Sequence, residues 1–214
     1  MKNIEHKEIK YKLIMLGDEN VGKTSIINRF KNNEYSGTYE PTLGLDFQTK
    51  SIMIDNINVK LLLYDTAGQE KFRPLIPLYT KEANIIFLIY DITNYNSFSN
   101  IDKWHELLNN MNKGEEIFFL VGNKIDLIEE RKVKEEDAKN YADNNNFIFQ
   151  EVSALKGDGI EELFYDKLAS QIKKQLLNNE KFIKDQEEEK LKFNLQDINK
   201  GKTKKKKKCC SCFK

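Results

Sequence analysis

Cysteine is absent from the first 208 residues of this chain; Cys209, Cys210 and Cys212 fall within the last six. The body therefore has no disulfide framework, and a reducing compartment fits. Histidine is almost as scarce, and His6 and His105 have no metal-ligating partners at suitable spacing. No apolar run approaches the ~18 residues of a membrane-spanning helix. The segment Met1 to Lys7 lacks the apolar stretch of a secretory leader. No internal repeat is evident. Acidic residues are missing from 200–214, which hold eight lysines; residues 1–199 carry 27 basic against 34 acidic side chains, a formal −7 against +8 at the end. Such segregation marks an interaction tail. The acidic balance of the body speaks against a nucleic-acid-binding domain, while the basic end alone could touch an anionic membrane or RNA.

The 214 residues, 39% of them hydrophobic, suffice for one ordinary core plus a tail. Short apolar runs at Lys12–Leu16, Ile85–Tyr90, Ile117–Val121 and Phe147–Val152 read as buried strands. Leu45–Ile54 and Val59–Tyr64, joined by the turn Asp55-Asn56-Ile57-Asn58, read as a hairpin. Helical spacing of apolar residues predicts helices over Lys23–Lys31, Ser97–Met111, Glu135–Asn144 and Gly159–Leu177. Strands alternating with helices imply an α/β fold, a six-stranded mostly parallel sheet with one antiparallel edge strand and helices on both faces. The expected divisions are a flexible N-terminus (1–9), a folded domain (10–177) and a polar, then lysine-rich tail (178–214). Within the tail, Glu187–Lys190 could extend a solvated helix, and the lysine block from Asn199 onward is expected to be disordered.

Three segments in fixed order carry the chemistry, each after a strand-like run. In Gly17-Asp18-Glu19-Asn20-Val21-Gly22-Lys23-Thr24, the spacing G-x4-G-K-T between strand and helix builds a nest of backbone N–H groups for phosphates. Lys23 brings positive charge to the β- and γ-phosphates, and the Thr24 hydroxyl is a ligand for Mg²⁺. In Asp65-Thr66-Ala67-Gly68-Gln69, the carboxylate closing a strand can hold a water on Mg²⁺. Gly68 lets a backbone N–H approach a γ-phosphate without a Cβ, and Gln69 can orient the attacking water. In Asn123-Lys124-Ile125-Asp126, the Asp126 carboxylate matches the N1–H and N2–H₂ donors of guanine, which adenine lacks. The Lys124 stem can lie flat on the base. Ser153-Ala154, after the last strand, can close over the base edge, a weak signal on its own. Thr42, in the loop Glu34–Leu43, could complete the Mg²⁺ shell, though spacing alone leaves that open.

These motifs resemble those of the Ras-like small GTPases, over roughly residues 8–176, which implies the P-loop NTPase G-domain fold. Within that group the chain looks most like the Rab family. The segments that carry this likeness are Leu43-Gly44-Leu45-Asp46-Phe47, Lys60 through Arg73, and Leu88-Ile89-Tyr90-Asp91-Ile92-Thr93. Arg73 through Tyr79 and Asp91 through Phe98 look most like the Golgi-associated branch. The resemblance implies two switch loops, 35–46 and 67–81, with Thr42 binding Mg²⁺ and γ-phosphate. It places Tyr35 against guanine, and Ser25, Leu155 and the loop residues Glu19, Asn20, Val21 and Gly22 around the nucleotide. Phe47, Tyr64 and Tyr79 match an aromatic triad that meets effectors. Four positions depart from the family pattern: Glu19 where relatives carry a small or neutral residue, Asn20 for glycine or serine, Leu155 for lysine and Tyr64 for tryptophan.

The resemblance further implies GTP/GDP exchange with Mg²⁺ as cofactor, slow hydrolysis without an activating protein, and a monomeric chain. Its expected partners are an exchange factor, an activating protein, effectors and a prenylation escort or dissociation inhibitor. The chain would be cytoplasmic, cycling to the cytosolic face of an intracellular membrane such as the Golgi. Cys209, Cys210 and Cys212 are the candidate lipidation sites. A CaaX box is excluded because position 211 is serine, and a zinc site would need a fourth ligand that is not nearby. Two rivals stay open: a GTP-binding scaffold that barely hydrolyses, suggested by Glu19, and a P-loop kinase or transferase, for which no second-substrate or lid motif is evident.

Overall fold

The structure, a computed structural model, describes residues 9–35, 42, 44–68, 74–109 and 116–178. The expected features of residues 1–8 and of the tail beyond 178 lie outside these, as do Gln69 and Cys209, Cys210 and Cys212. The chain divides into two compact units, Met1–Ala169 and Ser170–Lys214. The described residues of the second, 170–178, are helical.

In the first unit six strands form one sheet: β1 (Ile9–Leu16), β2 (Leu45–Ile54), β3 (Ile57–Thr66), β4 (Ile85–Asp91), β5 (Ile117–Asn123) and β6 (Ile148–Val152). Their order is β2-β3-β1-β4-β5-β6. β2 pairs antiparallel with β3, and every other pairing is parallel. All seven residues of β4 are buried, as a strand covered on both faces requires. Because side chains alternate across the sheet, the central strands feed two cores. Ile14, Leu16, Ile86, Leu88, Tyr90 and Leu120 pack with Trp104 on one face. Phe87 and Phe119 point to the other, where Phe164 and Phe30 extend the ring contacts, the last two stacked at 3.7 Å.

The helices are α1 (Lys23–Asn32), α2 (Ile76–Thr80), α3 (Tyr95–Ser99), α4 (Ile101–Asn109), α5 (Glu135–Asn144) and α6, which begins at residue 160 and holds a π-helical stretch, Glu162–Leu168. Several boundaries differ from expectation. The helix expected over Ser97–Met111 starts earlier, at Tyr95, because the Asn94 side chain accepts the Asn96 N–H. A junction at Asn100 then splits it into α3 and α4. α2 and the 3₁₀ turn Ile125–Glu130 were not anticipated. β1 and β3 each begin earlier than their apolar runs, since the polar ends still pair in register, as at Lys10↔Lys60. β6 begins at Ile148 rather than Phe147.

The parallel strands β1, β3, β4, β5 and β6 all end at one edge, in Leu16, Thr66, Asp91, Asn123 and Val152. An open parallel sheet offers its ligand site at that carboxyl edge.

Candidate functional site

The loop between β1 and α1 brings the phosphate motif to that edge. Gly22 takes φ +96°, and a Cβ there would lie 2.2 Å from the Asn123 side-chain nitrogen. Only glycine combines that backbone with that approach. The Lys23 side chain is buried, and its Nζ donates to the carbonyls of Gly17 (2.9 Å) and Asp18 (2.7 Å). Burial lowers its pKa to about 8, opposed by the charges of Asp65, Asp18 and Glu19. An ammonium held this way fits a polyphosphate, whose negative charge would raise that pKa again.

Thr24, Thr42 and Asp65 converge beside it. The Thr24 hydroxyl donates to Asp65 Oδ2 at 2.5 Å, the Thr42 hydroxyl lies 3.0 Å from that of Thr24, and Thr42 also reaches Asp65 Oδ2 at 3.3 Å. Asp65 Oδ1 is buried with no hydrogen-bond partner among the described residues. Burial pushes its carboxyl pKa up, against the two threonine hydroxyls and Lys23. A desolvated carboxylate with an orphaned oxygen beside two hydroxyls is a hard, oxygen-only donor set. The residues therefore fit a compact, hard cation such as Mg²⁺.

Gly68 crosses the loop from β3. A Cβ at Gly68 would lie 2.4 Å from the Asp18 carbonyl carbon and oxygen and from the Glu19 nitrogen. Glu19 and Asn20 are exposed, and Asn20 adopts a left-handed backbone at φ 61°. Ser25 and Thr42 are half-buried, whereas Tyr35 is 43% exposed.

At the far end of the cleft, Asn123 links three loops. Its side-chain nitrogen donates to the Val21 carbonyl at 2.8 Å, and its side-chain oxygen accepts from the Ala154 N–H at 3.1 Å. The fully buried Ser153 donates its hydroxyl to Asp126 Oδ1 at 2.5 Å and accepts the Lys156 N–H at 3.0 Å. Four of the residues read as base-binding, Asn123, Asp126, Ser153 and Ala154, are thus linked in pairs by these hydrogen bonds. Leu155 is exposed. Of the aromatic triad, Phe47 and Tyr64 pair at 5.0 Å, with Lys12 Nζ 4.7 Å over the Tyr64 ring, while Tyr79 packs against the Trp104 core.

Sequence reasoning missed three supports. Asp91 pairs with Lys124 at 2.7 Å and accepts from the N–H and hydroxyl of Thr93, each at 2.8 Å. A carboxylate ending a buried strand was the available signal, as for Asp65. Arg29 reaches from α1 to the carbonyls of Ala154 (2.9 Å) and Leu155 (2.5 Å). Asp18 accepts from the side chains of Asn100 and Trp104. Nothing local in sequence signals those last two contacts.

Residues 12–174 match the protein-family model described as the Ras family. The match spans every strand except the first three residues of β1, and it contains all three nucleotide motifs. The chain therefore belongs to the Ras family of small GTPases, P-loop proteins that bind GTP and GDP with Mg²⁺ and hydrolyse GTP.

Proposed function

We propose that this chain is a Rab-type GTPase, a nucleotide-switched regulator of vesicle traffic on the cytosolic face of an intracellular membrane, Golgi or related. The observation that carries the switching part is the convergence of Thr24, Thr42 and Asp65 around the orphaned Asp65 Oδ1, beside the buried Lys23. Thr42, from the loop between α1 and β2, meets Thr24, and Gly68, past the end of β3, meets the Asp18–Glu19 peptide, so both loops touch the phosphate motif. A γ-phosphate there would tether both, and hydrolysis would release them. Mg²⁺, held by Thr24 and Thr42 with Asp65 behind, would neutralise charge on the β- and γ-phosphates. Lys23 supports the same charge, Gln69 orients the in-line water, and Asn123, Lys124, Asp126, Ser153 and Ala154 grip the base. The Rab assignment is supported by the quoted switch segments, by the Phe47–Tyr64 pair and by the cysteine-ended, lysine-rich tail. Regulators of the kinds that serve such proteins are the expected partners.

The slow-hydrolysing scaffold is kept as a second reading because Glu19 stands in the phosphate loop, where Gly68 packs against its backbone nitrogen. Glu19 is exposed, so screening limits its repulsion to about 1 kcal/mol, about fivefold in rate. Single-turnover GTP hydrolysis with and without an activating protein tests both readings. The Rab reading expects slow intrinsic turnover that rises steeply with the activator and several-fold with Glu19→Ser. A rate that stays low with the activator present but rises in Glu19→Ser supports the scaffold.

A further inference from the structure

The phosphate loop is held from behind by a helix that takes no part in the nucleotide site. Both oxygens of Asp18 accept from that side: Asn100 Nδ2 donates to Oδ2 at 2.7 Å, and Trp104 Nε1 donates to Oδ1 at 2.8 Å. The two donors sit one turn apart, and the Trp104 N–H closes that turn on the Asn100 carbonyl at 3.1 Å. Lys103 Nζ donates to Asn100 Oδ1 at 2.8 Å, which aims the amide nitrogen at Asp18. The Trp104 side chain is fully buried, so its indole N–H is a desolvated donor directed at a carboxylate, a strong and geometrically strict bond.

The backbone of the same aspartate meets the reaction. The Asp18 carbonyl accepts Lys23 Nζ, and Gly68 packs against the Asp18–Glu19 peptide with no room for a Cβ. One peptide unit is thus gripped on its side chain by the α3–α4 junction and on its backbone by the lysine and by the loop leaving β3.

We propose that Asp18, Asn100 and Trp104 form a positioning device that sets this peptide for the γ-phosphate-sensing state, and that the indole of Trp104 reports the nucleotide state. The proposal rests on the reading of this cleft as a guanine-nucleotide switch. Releasing the side chain frees the Asp18 carbonyl to swing, which misaims Lys23 and removes the surface on which Gly68 rests. The GTP-bound form needs Gly68 in place and the GDP-bound form does not, so the loss falls mainly on GTP. Coupling is reciprocal: if the clamp favours the GTP state, that state tightens the clamp. Trp104 is the chain's single tryptophan, so its emission reads this hydrogen bond without a competing signal.

The test uses the full chain loaded with GDP and then with a non-hydrolysable GTP analogue. The GTP:GDP affinity ratio, single-turnover hydrolysis and the thermal midpoint are followed for wild type, Asp18→Ala, Asn100→Leu and Trp104→Phe, and tryptophan emission for the three proteins that keep Trp104. Expected for the wild type is a reproducible emission difference between the two states. In Asp18→Ala that difference collapses and the GTP:GDP ratio falls about tenfold, the scale of one charge-assisted hydrogen bond. Asn100→Leu, at a half-buried position, lowers the ratio in the same direction and keeps the test alive if Trp104→Phe does not fold. Variants that lose thermal stability but keep the wild-type ratio and emission difference overturn the device. A wild type that takes up no guanine nucleotide overturns the reading of the cleft, and this inference with it.

Discussion

In the proposed base site, Asp126 would discriminate among purines by hydrogen-bond polarity. A carboxylate only accepts, and guanine presents two donors where adenine presents none. Ser153 donates to Asp126 Oδ1 at 2.5 Å and is itself buried, so the carboxylate cannot rotate freely to suit another base. Asp126→Asn replaces an acceptor by a donor. GTP affinity should fall about a hundredfold and xanthine nucleotide should become a competent ligand, as expected for a buried polar mismatch. Competition among GTP, ATP and XTP measures it, and tight ATP binding by the wild type would refute the assignment. Gly68 is a second single-residue test. Its missing Cβ leaves the 2.4 Å gap that the Asp18–Glu19 backbone occupies, and a backbone neighbour cannot yield as a flexible side chain would. Gly68→Ala should displace the loop by a fraction of an ångström or more and slow single-turnover hydrolysis by about a hundredfold, the scale of a misplaced reacting group. Hydrolysis at the wild-type rate would mean that this contact is not kept in the reacting state.

At the scale of elements, what the sequence disclosed follows from the range of each signal. β4 and β5 were legible because an apolar run between polar neighbours has few other places to go. The phosphate loop was legible because its glycines, lysine and threonine sit within eight residues. α3 was misplaced because its start depends on Asn94, an Asx cap that looks like any polar loop residue. The 3₁₀ turn Ile125–Glu130 is too short to show a period. Asp18 with Trp104 and Arg29 with Ala154 join residues 86 and 125 positions apart, which no local pattern can encode. α4 also offers a pH test. The His105 ring meets Phe118 at 5.4 Å and Phe147 at 4.9 Å, edge-on in both cases. Burial lowers its pKa below 6.5, only partly offset by the charges of Asp102 and Glu106. As pH falls through 6.5 the unfolded chain takes the proton before the folded one does. Stability from this residue is therefore intact above that pH and lost as pH drops toward the lower folded value. Denaturant midpoints at pH 7.5 and 5.5 should converge for His105→Gln relative to wild type. An equal drop in both proteins would show that His105 contributes nothing to it.

The whole molecule is electrostatically divided, with −7 over residues 1–199 and +8 over residues 200–214, which also hold all three cysteines. That division bears on anchoring because membrane attachment by lipids is additive and thresholded. One lipid chain binds marginally, whereas a second chain or a polybasic patch makes attachment stable. Lysines near an anionic leaflet add about 1 kcal/mol each, an attraction that salt screens over ~8 Å at physiological strength. Seven lysines lie between 200 and 208, immediately before Cys209, so the basic patch and the lipid sites would reach the surface together. The acidic balance of the remainder opposes adsorption of the catalytic unit to the same leaflet, which favours presenting the switch loops to partners in solution. Two separable outcomes are expected. The unmodified chain should bind anionic vesicles weakly and lose them between about 0.1 and 0.5 M salt, as screening dictates. In cells the wild type should carry added lipid mass and sediment with membranes. The Cys209, Cys210 and Cys212→Ser triple variant should move to the soluble fraction with its guanine-nucleotide binding intact. A triple variant that stays on membranes, or a wild type of unmodified mass, would remove the lipid anchor and leave the lysine segment as the sole attachment.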